Sequence, residues 1–291
     1  MAAEVVALPL KRGVATSGDR GRGRLVAGGV LVAAFALSSL LAPWLAPYDP
    51  AAVPAALAQG MLKPPHPAHA FGTDALGRDL LSRVLYGGRV SLALGLGVEM
   101  VAAAIGVIVG LLAGYHGGWR DSLLMRLTDV VMAFPSLILA IGLIAVFERP
   151  GLDKVALVLI ALGWTTIARV VRGATLSLKE RDYVQAARAL GAGHATILLR
   201  HVLPNAMGPV IVAATIGVGG NMIAEAGLSF LGLGAQSPTI SWGTMLADGQ
   251  TFLTSAPWVA FFPGLALLLA VLGINLLGDS LRDLQDPRLK P

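Results

Sequence analysis

Long apolar runs alternate with shorter polar segments along this chain, and each run is long enough to cross a membrane as a helix. About 20 apolar residues, each rising about 1.5 Å, span the roughly 30 Å hydrocarbon core of a bilayer. The pattern therefore predicts an all-α, polytopic membrane protein with six transmembrane helices. They cover Leu25–Leu45, Val90–Gly114, Leu123–Phe147, Val155–Val171, Ala206–Leu233 and Trp258–Leu277.

The polar segment between the fourth and fifth runs departs from this pattern. Asp182–Pro204 reads DYVQAARALGAGHATILLRHVLP and favours two short helices. The small residues Ala186 and Ala187 stand at the centre of the first helix, Gly191 ends it, and Pro204 closes the second. We refer to this segment as the island. It must either lie in solvent or dock on another surface.

Composition supports a membrane protein and excludes several other classes. The chain has 55% hydrophobic and 13% charged residues, against about 25% charged residues in a soluble domain. Its net charge is +5, but the basic residues fall between apolar runs instead of forming one patch, which argues against nucleic-acid binding. Because the chain has no cysteine, disulfides and thiolate catalysis are excluded.

The distribution of basic residues predicts the orientation in the membrane. With six spans both termini lie on one side, and 16 of the 22 lysine and arginine residues fall on that side together with the island. The positive-inside rule then places both termini and the island in the cytoplasm. The predicted units are a cytoplasmic tail (1–24), the first transmembrane helix (25–47), an extracytoplasmic loop (48–89), a five-helix transmembrane domain (90–278) that contains the island (182–204), and a second cytoplasmic tail (279–291).

The extracytoplasmic loop begins rich in proline, so its first part is expected to be extended. Its second part predicts an amphipathic helix, with Thr73 or Asp74 as the N-cap. One face of that helix would be apolar and would lie at the membrane surface or over a cavity. The residues of this face are Leu76, Leu80, Val84 and Leu85.

Glycines recur every four residues in the second span. Gly106, Gly110 and Gly114 place a stripe of small residues on one helix face, and such a stripe lets a neighbouring helix approach closely in lipid. The neighbour could belong to this chain or to a second transmembrane subunit, and the sequence leaves both alternatives open.

Two features mark the third span. Arg126 and Asp129 are three residues apart near its start, so they could pair on one helix face. Pro135 follows within the apolar run. Because proline has no N–H to donate, it is expected to kink this helix.

Catalytic motifs are missing from the sequence. There is no GxxxxGK(S/T) phosphate loop and no GxSxG elbow, and all five histidines lie outside the predicted spans, so an enzyme is not expected. Two carboxylates do lie within spans, Glu99 and Glu225. Such groups are costly in lipid and often line a path for substrate. The alternative is a structural carboxyl group hydrogen-bonded to a neighbouring helix.

The island resembles the EAA signature of ABC importer permeases, with Gln in place of the usual Glu and His in place of an aliphatic residue. In chain order it carries Gln185-Ala186-Ala187, three residues, Gly191, nine residues, and His201-Val202-Leu203-Pro204. Four other stretches resemble the C-type permeases of dipeptide, oligopeptide, nickel and glutathione importers. They are GTDALGRDLLSRVLYGGRVSL (72–92), GYHGGWRDSLLMRLTDVVMAFPSL (114–137), AEAGLSFLGLGAQSPTISWGTML (224–246) and NLLGDSLRDLQDPRLK (275–290).

The resemblance implies a subunit of a larger transporter. Its expected partners are a homologous B-type permease, two ABC ATPase subunits that bind ATP and Mg²⁺, an extracytoplasmic solute-binding protein and membrane lipid. The chain itself is expected to hold no cofactor or metal. The island helices would be coupling helices seated in a groove of the ATPase. The residues expected at that contact are Tyr183, Val184, Gln185, Ala186, Ala187, Arg188, Leu190, Gly191, His201 and Pro204.

These observations predict the permease subunit of an ATP-driven importer for dipeptides or oligopeptides in the bacterial cytoplasmic membrane. Nickel or glutathione importer permeases of the same family remain alternatives, because they share these motifs. A stand-alone channel or secondary transporter is a further alternative. It has no need for a helix–Gly–helix–Pro island between two spans.

Overall fold

The computed structural model describes residues 17–53 and 61–285, and over these ranges the chain is built from helices, without a β-strand. Five helices are long and apolar enough to cross a membrane, and a bent pair makes a sixth span if it is counted as one. The predicted all-α polytopic fold is therefore confirmed. The helices are α1 (Ser17–Leu40), α2 (Ala42–Leu45), α3 (Leu80–His116), α4 (Gly118–Met132), α5 (Ser136–Ile144), α6 (Leu152–Leu178), α7 (Asp182–Ala189), α8 (His194–Thr196), a π-helical segment (Ile197–Val202), α9 (Leu203–Phe230), α10 (Trp242–Gln250) and α11 (Trp258–Gln285).

The longest helix, α3, has 37 residues and spans about 55 Å, so it connects the two ends of the molecule. It begins where the Asp79 side chain accepts a hydrogen bond from the Ser82 N–H at 2.8 Å, which satisfies one of the free amides of the first turn. It ends at Gly117, whose φ of +67° reverses the chain without steric cost. We call the end near Asp79 the loop end, and the end near His116, where the island lies, the island end.

The loop end differs from the prediction of a separate amphipathic helix. Helix α3 starts at Leu80 and continues without a break through the second predicted span, so Leu80 and Val84 are part of it and are buried. Thr73 and Asp74 lie in the turns before α3, and neither is its N-cap. Asp79 takes that role because its carboxylate lies within reach of the first free amides.

Buried charges join the segments of the loop end. Asp74 Oδ1 accepts hydrogen bonds from the N–H groups of Leu76 and Arg78, each at 2.9 Å, and Oδ2 accepts from Arg78 Nε at 2.7 Å. Arg83 Nε lies 3.4 Å from the same Oδ2, and Arg83 Nη2 lies 3.6 Å from Asp248 Oδ2. Because buried charges need partners, this network ties α3, the preceding turns and α10 together.

Helix α6 packs along α3 at the glycine stripe. A Cβ atom at Gly106 would lie 2.6 Å from the Trp164 carbonyl oxygen, and one at Gly110 would lie 2.5 Å from the Ala168 carbonyl oxygen. Gly114 continues the contact one turn further, again against α6. The stripe is therefore covered within this chain. Packing of the stripe on a second subunit would require α6 to leave it.

The third predicted span is broken, not merely kinked. Helices α4 and α5 meet at 85°, and the break falls at Pro135, directly before α5. Proline has no N–H to continue the hydrogen bonding of α4, and it also keeps the preceding residue, Phe134, out of the helical conformation. The chain is thus redirected where a continuous helix with a bend was expected.

Ion pairs hold α4 to α6. Arg172 binds Asp121 through two nitrogen–oxygen contacts of 2.6 and 2.7 Å, and Arg169 Nη2 lies 2.6 Å from Asp129 Oδ1. The pairing of Arg126 with Asp129 that their spacing allows is not found, and Asp129 is instead reached by Arg169 of α6. Two-point pairs between a guanidinium and a carboxylate fix orientation as well as distance. They therefore set how α4 lies on α6.

The remaining helices complete a bundle with an apolar outer surface. Helix α9 packs against α3, α6 and α11, and α1 packs on α11. A Cβ atom at Gly28 would lie 2.9 Å from the Gly273 carbonyl oxygen, so the backbones of α1 and α11 are in contact. Exposed apolar side chains cover the outer faces, as a lipid environment requires. They include Val30, Met100, Ile138, Val146 and Leu268.

Candidate functional site

The island is folded against the end of the bundle. Val184 of α7 and Ile197 and Val202 of the π-helical segment are fully buried, in a cluster with Leu111 and Tyr115 of α3. Burial of three aliphatic side chains stabilises this docking by several kcal/mol in total, at about 1.5–3 kcal/mol each. The expectation that Val184 contacts a partner is therefore wrong, since its side chain already packs inside this chain.

Polar contacts fasten the island to two long helices. Tyr115 Oη of α3 lies 2.8 Å from His194 Nδ1 of the island, and just before the island Lys179 Nζ ties the end of α6 to α3 by donating to the Gly114 carbonyl at 3.0 Å. Gln185 Nε2 donates to the Lys179 carbonyl at 3.0 Å, which satisfies an acceptor at the end of α6. An ionised glutamate at position 185 would have no proton to donate there. Gln185, which was expected at the ATPase contact, thus uses its side chain for a hydrogen bond within this chain.

The outer side of the island exposes several apolar side chains. Leu190 is 89% exposed, Leu199 61% and Tyr183 43%. Ala186 is exposed and Ala187 is half-buried, and their small side chains allow another backbone to come close. Large apolar side chains exposed on a short segment at the end of a membrane bundle are candidates for protein contact. We call these five residues the contact face.

Other island residues border the contact face. Gly191 has a φ of +83°, the left-handed conformation that commonly ends a helix, so it ends α7 as the sequence predicts. The Arg188 guanidinium lies 5.9 Å from the centre of the Tyr115 ring and is exposed. The His201 ring lies 6.4 Å from the Tyr183 ring. Arg188 and His201 thus add polar groups beside the contact face.

Pro204 does not close the second island helix, contrary to the prediction. It lies in the first turn of α9, and the helix runs on through it from His194 to Phe230. The Leu203 N–H donates to the Leu198 carbonyl, five residues back. This π-helical turn is wider than an α-helical one, so it gives room to the proline ring, which would clash in a regular helix.

A cavity of about 530 Å³ lies between α3, the bend from α4 to α5, α6 and α9. Glu99 of α3 and Asn221 of α9 are on its wall, and Asn221 Nδ2 donates to Glu99 Oε2 at 2.8 Å. A Cβ atom at Gly217 would overlap the Glu99 carboxyl group, so this glycine makes room for it. The other polar residues of the wall carry hydroxyls: Ser136, Thr165 and Thr166.

Glu225 has a different environment from Glu99, although both are carboxylates within predicted spans. Its Oε1 accepts from Ser229 Oγ at 2.7 Å and its Oε2 from Ser91 Oγ at 3.1 Å. The Ser91 hydroxyl in turn accepts from the Trp242 N–H, and the Ser229 hydroxyl from the Ala235 N–H. Glu225 is not on the cavity wall. This environment favours the alternative that Glu225 is a structural carboxyl group hydrogen-bonded to a neighbouring helix.

Asn221, the partner of Glu99, is not among the residues predicted from the sequence. A signal existed, because an amide within an apolar span is as unusual as a carboxylate and needs a hydrogen-bond partner there. The two residues are 122 positions apart, and nothing in their spacing predicts that they meet. The packing of α9 on α3 brings them together.

A membrane bundle with a carboxyl group on the wall of a largely apolar cavity and an exposed contact face at one end is typical of membrane transport subunits. The particular family is binding-protein-dependent transport system inner membrane components, whose model matches residues 106–291. The chain belongs to this family, and within it to the ABC importer permeases of the dipeptide/oligopeptide type. It is thus a multi-pass inner-membrane permease that works with ATPase and binding-protein partners.

Individual relatives resemble nearly the whole chain. It is 40% identical over 266 residues to the dipeptide transport system permease protein DppC of Alkalihalophilus pseudofirmus, covering 91% of this chain and 86% of that protein. It is 44% identical to a putative peptide transport system permease protein of Brucella suis, covering 90% and 86%. It is 44% identical to the glutathione transport system permease protein GsiD of Escherichia coli, covering 87% and 82%.

Proposed function

We propose that this chain pairs with a homologous B-type permease to form the path by which dipeptides or oligopeptides cross the cytoplasmic membrane. Two ATPase subunits, which bind ATP and Mg²⁺, drive the cycle, and one of them docks on the island of this chain. A solute-binding protein delivers peptide at the loop end. This chain binds no cofactor of its own.

The observation that carries this proposal is the contact face. Its large apolar side chains, led by Leu190 at 89% exposed, are not covered by the described part of the chain, while Val184, Ile197 and Val202 on the opposite side of the island are buried. A membrane subunit without a phosphate-binding loop needs a docking surface for its ATPase. The contact face supports that role for Tyr183, Ala186 and Ala187, with Arg188, Gly191 and His201 at its border.

The path from the island to the cavity supports a mechanism. The helix that starts at His194 in the island continues to Phe230 and carries Asn221 on the cavity wall. The island also contacts α3 through Tyr115, and α3 carries Glu99. Displacement of the island by an ATPase would therefore tilt both cavity helices as rigid levers and open the cavity to alternate sides.

The charge distribution supports an orientation with the island end in the cytoplasm. The basic residues from Arg169 to Arg200 lie on the island and on the adjoining end of α6, and the tails add more on the same side. Lysine and arginine are retained on the cytoplasmic side. The loop end, with few basic residues, then faces the binding protein.

The names of the relatives support a peptide as substrate. Those described above are named for dipeptide, peptide and glutathione transport, and glutathione is itself a small peptide. A glutathione importer is therefore the second candidate function. Both candidates share the same path and the same coupling.

Reconstitution tests the proposal. The chain is placed in proteoliposomes alone, or together with its B-type partner, ATPases and binding protein, and uptake of a labelled dipeptide is measured with and without ATP. We expect uptake only from the complete complex with ATP. Uptake of comparable rate by the chain alone without ATP would identify a channel or secondary transporter, and preferential uptake of glutathione by the complex would select the second candidate.

A further inference from the structure

The cavity carries one acidic group and no basic one. Glu99 is 5% exposed, and no lysine, arginine or histidine is on the cavity wall among the residues that the structure describes. By position, Glu99 lies about 28 Å along α3 from Leu80 and about 26 Å from His116. It is therefore near the middle of the helix, at the depth where transport proteins commonly bind their substrates.

The Glu99 carboxylate is only partly satisfied. Oε2 accepts a hydrogen bond from Asn221, whereas Oε1 accepts none from the described part of the chain. The contrast with Glu225, whose two oxygens both accept from serine hydroxyls, shows that this fold can satisfy a buried carboxylate fully where its role is structural. A half-paired carboxylate facing a cavity has a strong preference for a cationic donor.

We propose that Glu99, positioned by Asn221 and by the space at Gly217, binds the ammonium group of a peptide in transit through the cavity. This inference rests on the proposed function and names the part of the substrate that the path recognises. An ammonium group supplies both the opposite charge and the N–H donors that Oε1 lacks. The side-chain amide of Asn221 and the hydroxyls of Ser136, Thr165 and Thr166 can hydrogen-bond the remaining polar groups of the bound peptide.

The size of the cavity fits this ligand. Small-molecule sites commonly have volumes of about 300–1,000 Å³, and the cavity holds about 530 Å³. Apart from its polar residues the wall is apolar, with Leu137, Leu159 and Ile216 among its members. It can therefore accept peptide side chains of varied shape while one charge is held in place, which suits a path that must admit many peptides.

The test measures binding to the assembled permease–ATPase complex without nucleotide and without the binding protein, so that selection by the binding protein does not contribute. Saturation-transfer NMR compares dialanine with N-acetyl-dialanine, which lacks the ammonium group. For the wild-type complex we expect a preference of about tenfold or more for dialanine, the value of one charge-assisted hydrogen bond. Glu99→Gln should abolish this preference without weakening binding of the acetylated peptide.

Two further variants keep the test sharp. Glu99→Asp retains the charge and should keep a reduced preference, and Glu148→Gln removes an exposed carboxylate outside the cavity and should leave the preference unchanged. Co-purification with the ATPases confirms that each variant is folded. Equal binding of the two peptides, no binding of either by the wild type, or a preference that survives in Glu99→Gln would each overturn the inference.

Failure of the inference is distinguishable from failure of the proposed function. If the complete complex imports dipeptide with ATP but its cavity shows no preference for the ammonium group, only the role of Glu99 is rejected. If the complete complex imports neither dipeptide nor glutathione, the proposed function itself is rejected.

Discussion

The two ends of the bundle differ in the kind of contact that holds them together. At the loop end, Asp74, Arg83 and Glu225 find their partners within the chain, through ion pairs and serine hydroxyls. At the island end, the island packs on the bundle mainly through buried aliphatic side chains, and apolar side chains such as Leu190 remain exposed. The charges of the loop end are thus paired within the subunit, whereas we expect the exposed apolar side chains of the island end to be covered by a partner.

This difference indicates which end of the molecule is expected to move when the ATPases act. A network of buried charges loses much free energy if any member moves away from its partner, so the loop end is suited to hold α3 and α10 in fixed positions. An apolar contact face can be covered and uncovered as a rigid unit. We therefore expect the coupling between ATPase and transport at the island end.

Arg83→Ala should produce the largest effect, because it removes a buried cation and leaves Asp74 and Asp248 with one partner fewer. We expect a loss of about 3 kcal/mol in the free energy of unfolding, typical of a broken buried ion pair, measured by thermal unfolding of the purified subunit in detergent. Arg89→Ala, at an exposed position of the same helix, is the matched control and should cost at most about 1 kcal/mol. Equal losses would show that the loop end is not held by its charges.

Ala187→Arg should leave the fold intact and break coupling. The half-buried alanine allows close approach of a partner. A long side chain would overfill the contact and weaken the binding free energy by about 2 kcal/mol, or roughly thirtyfold in docking affinity. ATPase stimulation by loaded binding protein and peptide uptake should fall together. Ala52→Arg, at an exposed position of the loop end, should change neither. Full activity of Ala187→Arg would remove the island from the coupling pathway.

Glu225→Gln tests whether the loop end is purely structural. The glutamine keeps one acceptor but adds an N–H₂ group opposite serine hydroxyls that now donate to the carboxylate, which should cost about 1.5 kcal/mol of stability. Uptake per folded complex should remain near that of the wild type. A specific loss of transport with unchanged stability would place Glu225 in the path and contradict its separation from the cavity.

Gln185→Glu should have the smallest effect. It removes the hydrogen bond to the Lys179 carbonyl, worth about 1 kcal/mol, and places a second carboxylate near Glu180. A small decrease in thermal stability is expected, with ATPase stimulation close to the wild-type value, because the side chain points to its own chain. A large loss of ATPase stimulation would instead show that residue 185 contacts the ATPase.

The sequence predicted the features that depend on hydropathy and on local stereochemistry. Apolar length located the membrane helices, and Gly191 ends α7 because its left-handed φ is a local property of glycine. Pro135 was correctly identified as a perturbing residue, but the size of the break was not predictable, since it depends on how α4 and α5 pack. The prediction that Pro204 closes the second island helix was wrong, because the wider π-helical turn before it lets the helix continue through the proline.

Contacts between residues far apart in the chain could not be predicted from the sequence. Asp129 pairs with Arg169 of another helix and not with the nearer Arg126, because ion-pair partners are set by helix packing as well as by spacing. The two carboxylates in the spans looked alike in sequence. Only the packing of α3 on α9 separates Glu99, on a cavity wall, from Glu225, which serine hydroxyls enclose.

The most direct test of the central claim is the accessibility of the contact face. The chain has no cysteine, so Leu190→Cys introduces a single thiol at its most exposed island leucine, and Ala52→Cys provides a control at the loop end. Maleimide labelling of this chain is compared with and without bound ATPase subunits. The account predicts that the ATPases protect residue 190 and leave residue 52 unchanged. Equal labelling of residue 190 in an active complex would contradict it.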